Sequence, residues 1–307
     1  MAVPSTTMSI STTSIPNAEE WIDRYLHRPV ASVVVSMLVR TSVTPNQVTL
    51  SAALVGLFGG MLIGLATPMS ILCGGAMLWC AVILDCVDGQ LARARGGGTL
   101  VGRVLDGLAD LVIASAGHVG LLVAAYAGAI RFCGEPTTGW TPFLWMVAAG
   151  VSMIVHANLV DYHKGRLLRL SGITSGATHA RSEAESAHQN ANGWFEKRLL
   201  AFYVNYCAFQ ETLAHSSSQA TTKSYSLTAD QLRLVREQLL GPTRAWTWLG
   251  PSTRMAVLIL CIWAAPLASA GIEFYVGMGA IFANIFGIFV WIWITRANAK
   301  LAEQGII

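Results

Sequence analysis

The chain has 307 residues, of which 53% are hydrophobic and only 12% charged. A soluble domain carries roughly a quarter charged residues, so an ordinary water-facing surface is excluded. A net charge of +3 with no dense Lys/Arg run argues against nucleic acid as a partner.

Residues 1–18 are Ser/Thr-rich, without a basic n-region or a compact apolar core, and are expected to form a disordered tail rather than a cleavable signal peptide. Next, Trp21, Ile22, Tyr25, Leu26, Val30 and Val33 alternate with Asp23, Arg24, His27 and Arg28. That pattern predicts an amphipathic helix lying in the cytoplasmic membrane interface and continuing towards Leu38. A hydrocarbon core needs about 20 apolar residues per helix. Six stretches meet or approach this, near 47–67, 69–91, 104–130, 139–163, 254–273 and 275–296.

With the N-terminus in the cytoplasm, the exterior loops fall near 68, 131–138 and 273–275, and of the 20 Lys and Arg residues only Arg131 lies outside. The positive-inside rule therefore predicts six spans with both termini cytoplasmic, and the expected location is a bacterial inner membrane. Between spans four and five, residues 164–253 are polar enough to form a cytoplasmic helical insertion. It is expected to hold an amphipathic helix at 194–213, a Ser/Thr-rich loop at 215–224, and a helix at 228–240 with Thr228 as N-cap and Gly241 at its end. The fold class is an all-α integral membrane protein. It divides into a tail (1–18), the interfacial helix and first four spans (19–163), the insertion (164–253), and the last two spans with a cytoplasmic end (254–307). The six cysteines show no C-x-x-C spacing and most lie in apolar blocks, so they read as small hydrophobes, without a zinc or disulfide framework.

The informative stretch runs from Asp85 to Asp110. Asp85 and Asp88 close span two, and Asp106 and Asp110 open span three. Carboxylates are costly in membrane segments and usually mark a functional site. At about 100° per residue, Asp85 and Asp88 share a face with Gly89 and Ala92 close to it. Asp106 and Asp110 stand one turn apart, with Gly102 one turn earlier. Two helices joined by a short loop, made pliable by Gly96, Gly97 and Gly98, can thus present four carboxylates to one space. Such a group needs cations to neutralise it, and all-oxygen ligation selects a hard ion such as Mg²⁺ or Mn²⁺. Gly89, Ala92 and Gly102 allow close approach to the backbone, and Arg93 is placed to meet a phosphate bidentately.

The spacing D-x2-D-G-x2-A-R-x8-G-x3-D-x3-D resembles the signature of the CDP-alcohol phosphotransferases at every defined position: Asp85, Asp88, Gly89, Ala92, Arg93, Gly102, Asp106 and Asp110. The resemblance implies two divalent ions held by Asp85, Asp88 and Asp106, with Asp110 near the second ion and acting as general base. It implies that Gly89, Arg93 and Thr99 contact the CDP moiety. The segment Pro45-Asn46-Gln47-Val48-Thr49 is similar to the family's entry into span one, which adds Asn46 and Thr49; Asn46 could equally cap that span. Arg103 is a candidate for an acceptor phosphate.

The reaction implied is transfer of a phospho-alcohol, most simply phosphatidyl, from a CDP-alcohol to an acceptor hydroxyl with release of CMP. CDP-diacylglycerol is the favoured donor, because Arg103, Lys164 and Arg166 would suit an anionic polyol acceptor. Transfer from a CDP-polar alcohol to a lipid alcohol is the alternative, and a divalent-cation transporter a more remote one. The expected partners are those two substrates, the bilayer and a second copy in a homodimer. His118 and His156 read as packed, hydrogen-bonded residues, and Trp140, Trp145, Trp291 and Trp293 as interface anchors.

Overall fold

The computed structural model describes residues 19–131, 137–171, 181–213, 227–266 and 271–306. The expected tail 1–18, the Ser/Thr-rich loop 215–224 and most of the expected loop 131–138 lie outside these residues. The described residues are helical and include no β-strand. A π-helical turn, Asp23–His27, leads into α1 (Arg28–Leu38). Then come α2 (Pro45–Gly64), α3 (Pro68–Ala94), α4 (Leu100–Tyr126), α5 (Thr141–Leu170), α6 (Arg181–Asn190) and α7 (Trp194–Leu213). The chain continues with α8 (Ala229–Thr247), α9 (Pro251–Ala264) and α10 (Gly271–Val276), then a second π-helical turn, Gly277–Phe282, and α11 (Ala283–Glu303).

The starts of these helices are written into the sequence. Thr44, Thr67 and Thr228 each accept the backbone N–H of the residue three ahead, and Gln47, Ser70 and Gln231 reciprocate, forming capping boxes. Pro45 and Pro68 occupy the first helical position, where the missing N–H costs nothing. Among the described residues, six helical units are long and apolar enough to cross a membrane: Pro45–Gly64, Pro68–Ala94, Leu100–Tyr126, Thr141–Leu168, Ala229–Ala264 and Glu273–Glu303. Large apolar side chains such as Leu50, Leu54, Met61, Val151 and Phe289 point outward from them, as lipid-facing surfaces do.

A glycine seam fixes how the first three spans meet. α2 packs along both α3 and α4, whose contact with each other is small. A Cβ on Gly74 would stand 2.6 Å from the Gly59 carbonyl oxygen, and one on Gly120 would stand 2.4 Å from that of Gly60. Only glycine permits such backbone approach. The seam draws α3 and α4 onto α2 while leaving their polar ends free to face each other.

Two regions differ from the sequence expectation. The helix expected at 228–240 runs on to Thr247 and, after a short break, into α9, so the fifth membrane-length unit starts at Ala229 rather than near 254. Gly241 does not stop the helix because it has a packing role: a Cβ there would meet the Trp293 ring at 3.1 Å. Likewise α5 extends to Leu170 and α11 to Glu303. Leu167, Leu170, Val235, Leu239, Ala297 and Leu301 from the three helices form one buried cluster, so these helices continue as a bundle beyond their most apolar stretches. The second difference is at 273–275, expected as a loop but lying inside α10. The helices α6 and α7 dock on the start of α4, where Ala184, Leu199, Tyr203 and Cys207 pack with Val104.

The segment before α2 carries Trp21, Tyr25, Val30, Val33 and Met37 outward, while His27 and Ala31 are buried. It is tied to the start of α9 by Glu20, whose carboxylate accepts from the Thr253 N–H at 2.7 Å and the Thr253 hydroxyl at 2.8 Å.

Candidate active site

The C-terminal end of α3 and the N-terminal end of α4 carry all four motif aspartates. Oxygens of Asp85, Asp88 and Asp106 lie within 4.8 Å of one another. Asp110 joins the group through a hydrogen-bonding contact with Asp85. Asp106 makes similar contacts with Asp85 and Asp88. Four carboxyl groups this close repel unless protons or cations lie between them. One observation favours a cation: Asp85 Oδ1 is buried and has no hydrogen-bond partner among the described residues. A buried carboxylate oxygen without a donor is costly, and a hard divalent ion satisfies it. The donor set therefore fits such an ion.

The surrounding residues sort by what they touch. Thr49, buried on α2, donates its hydroxyl to Asp88 Oδ2 and so ties the first span to the cluster. Gly102 sits against Asn46: a Cβ there would lie 3.1 Å from Asn46 Oδ1 and 3.2 Å from Thr99 Oγ1. Asn46 therefore faces the motif from α2. It does not cap that helix, because Thr44 does. Thr99 caps α4 by accepting from the Gly102 N–H at 3.0 Å, which gives its hydroxyl a structural task. The Arg93 guanidinium folds back over Gly89, 3.5 Å from where a Cβ would stand; a larger residue at 89 would displace it. Ala92 is half-buried one turn from Asp88, and Arg103 lies near Asp106 on one side and Tyr203 of α7 on the other.

Sequence reasoning missed several contributors. The Arg95 guanidinium donates to the carbonyls of Val43 (2.5 Å), Leu38 (2.9 Å) and Thr41 (2.8 Å), clamping the turn between α1 and α2 beside the motif. From α7, Gln210 donates to Asp161 at 3.1 Å and to the Tyr206 hydroxyl at 2.9 Å. Burial pushes the Tyr203 and Tyr206 phenols up, with Asp161 adding to it, so both remain neutral. Apart from Gln210–Tyr206, one turn apart on α7, these contacts join residues about fifty positions apart, so no local spacing signals them. His163, towards the end of α5, is buried and stacked on Trp246 at 5.8 Å.

Residues 42–175 match the family model described as CDP-alcohol phosphatidyltransferase. That stretch is a CDP-alcohol phosphatidyltransferase domain. It holds α2 to α5 and every motif residue, and leaves α1 and α6 to α11 outside. The chain is similar to a phosphatidylinositol phosphate synthase of Mycobacteroides abscessus, 27% identical over 149 residues, which cover 47% of this chain and 60% of the relative. The protein of the same name from Corynebacterium glutamicum is 29% identical over 144 residues, covering 43% of this chain and 55% of the relative. A bifunctional IPC transferase and DIPP synthase of Thermococcus kodakarensis is 31% identical over 103 residues, 34% of this chain and 23% of that protein. The chain thus spans little more than half the length of the first two relatives.

Proposed function

We propose that this chain is a membrane phosphotransferase that moves a phosphatidyl group from CDP-diacylglycerol to a hydroxyl of an anionic polyol, releasing CMP. The observation that carries the reading is the convergence of four carboxyl groups, including the unpartnered Asp85 Oδ1, at one end of two helices inside a CDP-alcohol phosphatidyltransferase domain. Similarity to two relatives named phosphatidylinositol phosphate synthase supports a polyol phosphate as acceptor. The cations Arg103 and Arg166 suit such an anion.

Asp85, Asp88, Asp106 and Asp110 would hold two divalent ions, Mg²⁺ or Mn²⁺. When bound, such ions neutralise charge on the attacking and leaving oxygens of a phosphoryl centre. Arg93 takes a phosphate oxygen of the donor, and Asn46, Thr49, Gly89, Ala92 and Gly102 line the nucleotide side, where small residues let the CDP moiety reach the backbone. Arg103 faces the acceptor. Asp110 removes the acceptor hydroxyl proton. The freed oxygen bonds to the phosphorus distal to cytidine, the bond from that phosphorus to the bridging oxygen breaks, and its electron pair leaves with CMP. The apolar helices keep the diacylglycerol tails in the bilayer, with the motif at the cytoplasmic face, both termini inside, and the apolar side of α1 resting in the interface.

The test is CMP release by the purified chain given Mg²⁺, CDP-diacylglycerol and a panel of polyols and polyol phosphates, with product lipids read by mass spectrometry. CMP release that depends on a polyol phosphate is expected. No CMP with this donor, but CMP from a CDP-polar alcohol given diacylglycerol, would reverse the direction of transfer. No CMP with either donor would remove the enzyme reading. In the same assay Asp110→Asn should retain CDP-alcohol binding and lose turnover by at least about 100-fold, the scale of a general base.

A further inference from the structure

We propose that Asp23, His27 and Cys86 form a second metal site, built for Zn²⁺ and separate from the carboxylate cluster. The proposal does not rest on the transferase reading. Ligand atoms of the three residues lie within 4.8 Å of one another. They come from two elements: Asp23 and His27 open and close the π-helical turn ahead of α1, and Cys86 projects from α3 one residue after Asp85. Oxygen, nitrogen and sulfur converge at one point from positions about sixty residues apart, which is why the cysteine spacing alone carried no sign of it.

The donor chemistry separates this site from its neighbour. Carboxylate oxygens alone suit Mg²⁺, whereas a thiolate with an imidazole selects a softer ion and suits four-coordinate zinc. Three protein ligands leave a fourth position for water, as in zinc sites that are not fully closed. The supporting contacts are those that orient ligands. Asp23 Oδ2 accepts from the Ser252 hydroxyl at 2.9 Å, which fixes the carboxylate from α9. The His27 ring, 2% exposed, stands edge-on to Trp79 with centroids 5.6 Å apart, which fixes its plane.

At present His27 Nδ1 and Asp23 Oδ1 are 2.8 Å apart. Two tetrahedral ligands at about 2.1 Å from zinc stand roughly 3.4 Å from each other, so the pair must open by about half an ångström to admit the ion. That movement is within the reach of side-chain torsions. An ion held there would pin the segment ahead of α1 to α3 directly beside Asp85.

Cobalt gives the deciding readout, because a thiolate ligand produces a near-ultraviolet sulfur-to-cobalt charge-transfer band that a carboxylate cluster does not. The full chain in detergent, with excess Mg²⁺ to fill the carboxylate site, is titrated with Co²⁺. One equivalent giving the band is expected, displaced by Zn²⁺, lost in Cys86→Ser and His27→Gln, and retained in Asp85→Asn. Absence of the band, or its survival in Cys86→Ser, overturns the site and leaves Asp23–His27 as a hydrogen-bonded pair beside a small apolar cysteine. Should the Cys86 variant not fold, the wild-type chain still decides: Zn²⁺ should slow alkylation of Cys86 at least tenfold, read by peptide mass spectrometry, and an unchanged rate overturns the proposal.

Discussion

Thr49→Val isolates the link between the first span and the carboxylate cluster. The substitution replaces a hydroxyl by a methyl of similar shape, so packing around α2 is retained while the donor to Asp88 Oδ2 is lost. Thr49 is 5% exposed, so water cannot easily take the donor's place. A hydrogen bond to a charged group contributes about 1.5–3 kcal/mol, or roughly 10- to 150-fold in an equilibrium constant. Partners of metal-ligating carboxylates typically carry about 10- to 100-fold of metal affinity, so the two routes agree. The expected outcome is a half-saturating Mg²⁺ concentration for CMP release raised by about 10- to 100-fold, with turnover at saturating Mg²⁺ reduced far less. Thr49→Ser, which keeps the hydroxyl, should restore most of the Mg²⁺ affinity. A Thr49→Val curve superimposable on wild type would refute the reasoning, because Asp88 would then hold its place, or its metal, without α2.

Three further outcomes follow from particular contacts. Gly120→Ala places a Cβ 2.4 Å from the Gly60 carbonyl and must part α2 and α4 by about 1 Å; overpacking of this kind costs about 1–3 kcal/mol. Its melting temperature in detergent should fall, while Gly107→Ala, with nothing within 4 Å of the new Cβ, should not be destabilised. Arg95→Ala releases three carbonyls of the α1–α2 turn and should raise proteolytic cleavage near residue 40, with Arg95→Lys recovering only part, since an ammonium lacks the planar fork. Burial, with Asp23 adding to it, pushes Glu20 up to about 7, against the bonds from Thr253 and Ser252. Because its folded value lies above the ordinary 4.5, the folded chain binds more protons between those values and stability falls as pH rises across that window, by up to about 3 kcal/mol. In Glu20→Gln the fall should vanish; an unchanged slope in a melting series would count against the buried position of this carboxyl.

How much was legible in the sequence depended on the range of the interaction. The carboxylate site was legible because its ligands lie within 26 residues on two consecutive helices, so helical spacing and one short loop specify it. Thr49 and Asn46 were reached only through resemblance, since nothing local says that α2 leans on both motif helices. The glycine seam had no sequence signal: the close contacts of Gly59, Gly60, Gly74 and Gly120 depend on the packing of separate helices. Gly241 read as a stop signal because that is the commonest use of glycine at a helix end. Its partner Trp293, more than fifty residues away, decides otherwise. The docking of α7 on α4 and the meeting of Asp23, His27 and Cys86 belong to the same class of long-range contact.

The placement of polar groups along the spans also bears on the choice between an enzyme and a cation conduit. A conduit needs acceptors distributed through the membrane. Along α4 the carboxylates stop at Asp110, and the next titratable side chain, His118, stands about 12 Å further on at 1.5 Å per residue. His118 Nδ1 is paired with the Ala114 carbonyl at 2.7 Å, which leaves Nε2 to accept from the Tyr275 hydroxyl at 2.6 Å. Beside them stands Arg254, 5% exposed, donating to His156 Nδ1 at 3.2 Å and to the carbonyls of Ala149 and Gly279 at 3.2 and 3.3 Å. A buried guanidinium is an electrostatic barrier to divalent cations, not a stepping stone. The same arrangement suits a site that collects cations at one end of the spans and keeps them there. Arg254→Leu should therefore destabilise the fold without opening Mg²⁺ flux in proteoliposomes, and flux through either form would argue for transport after all.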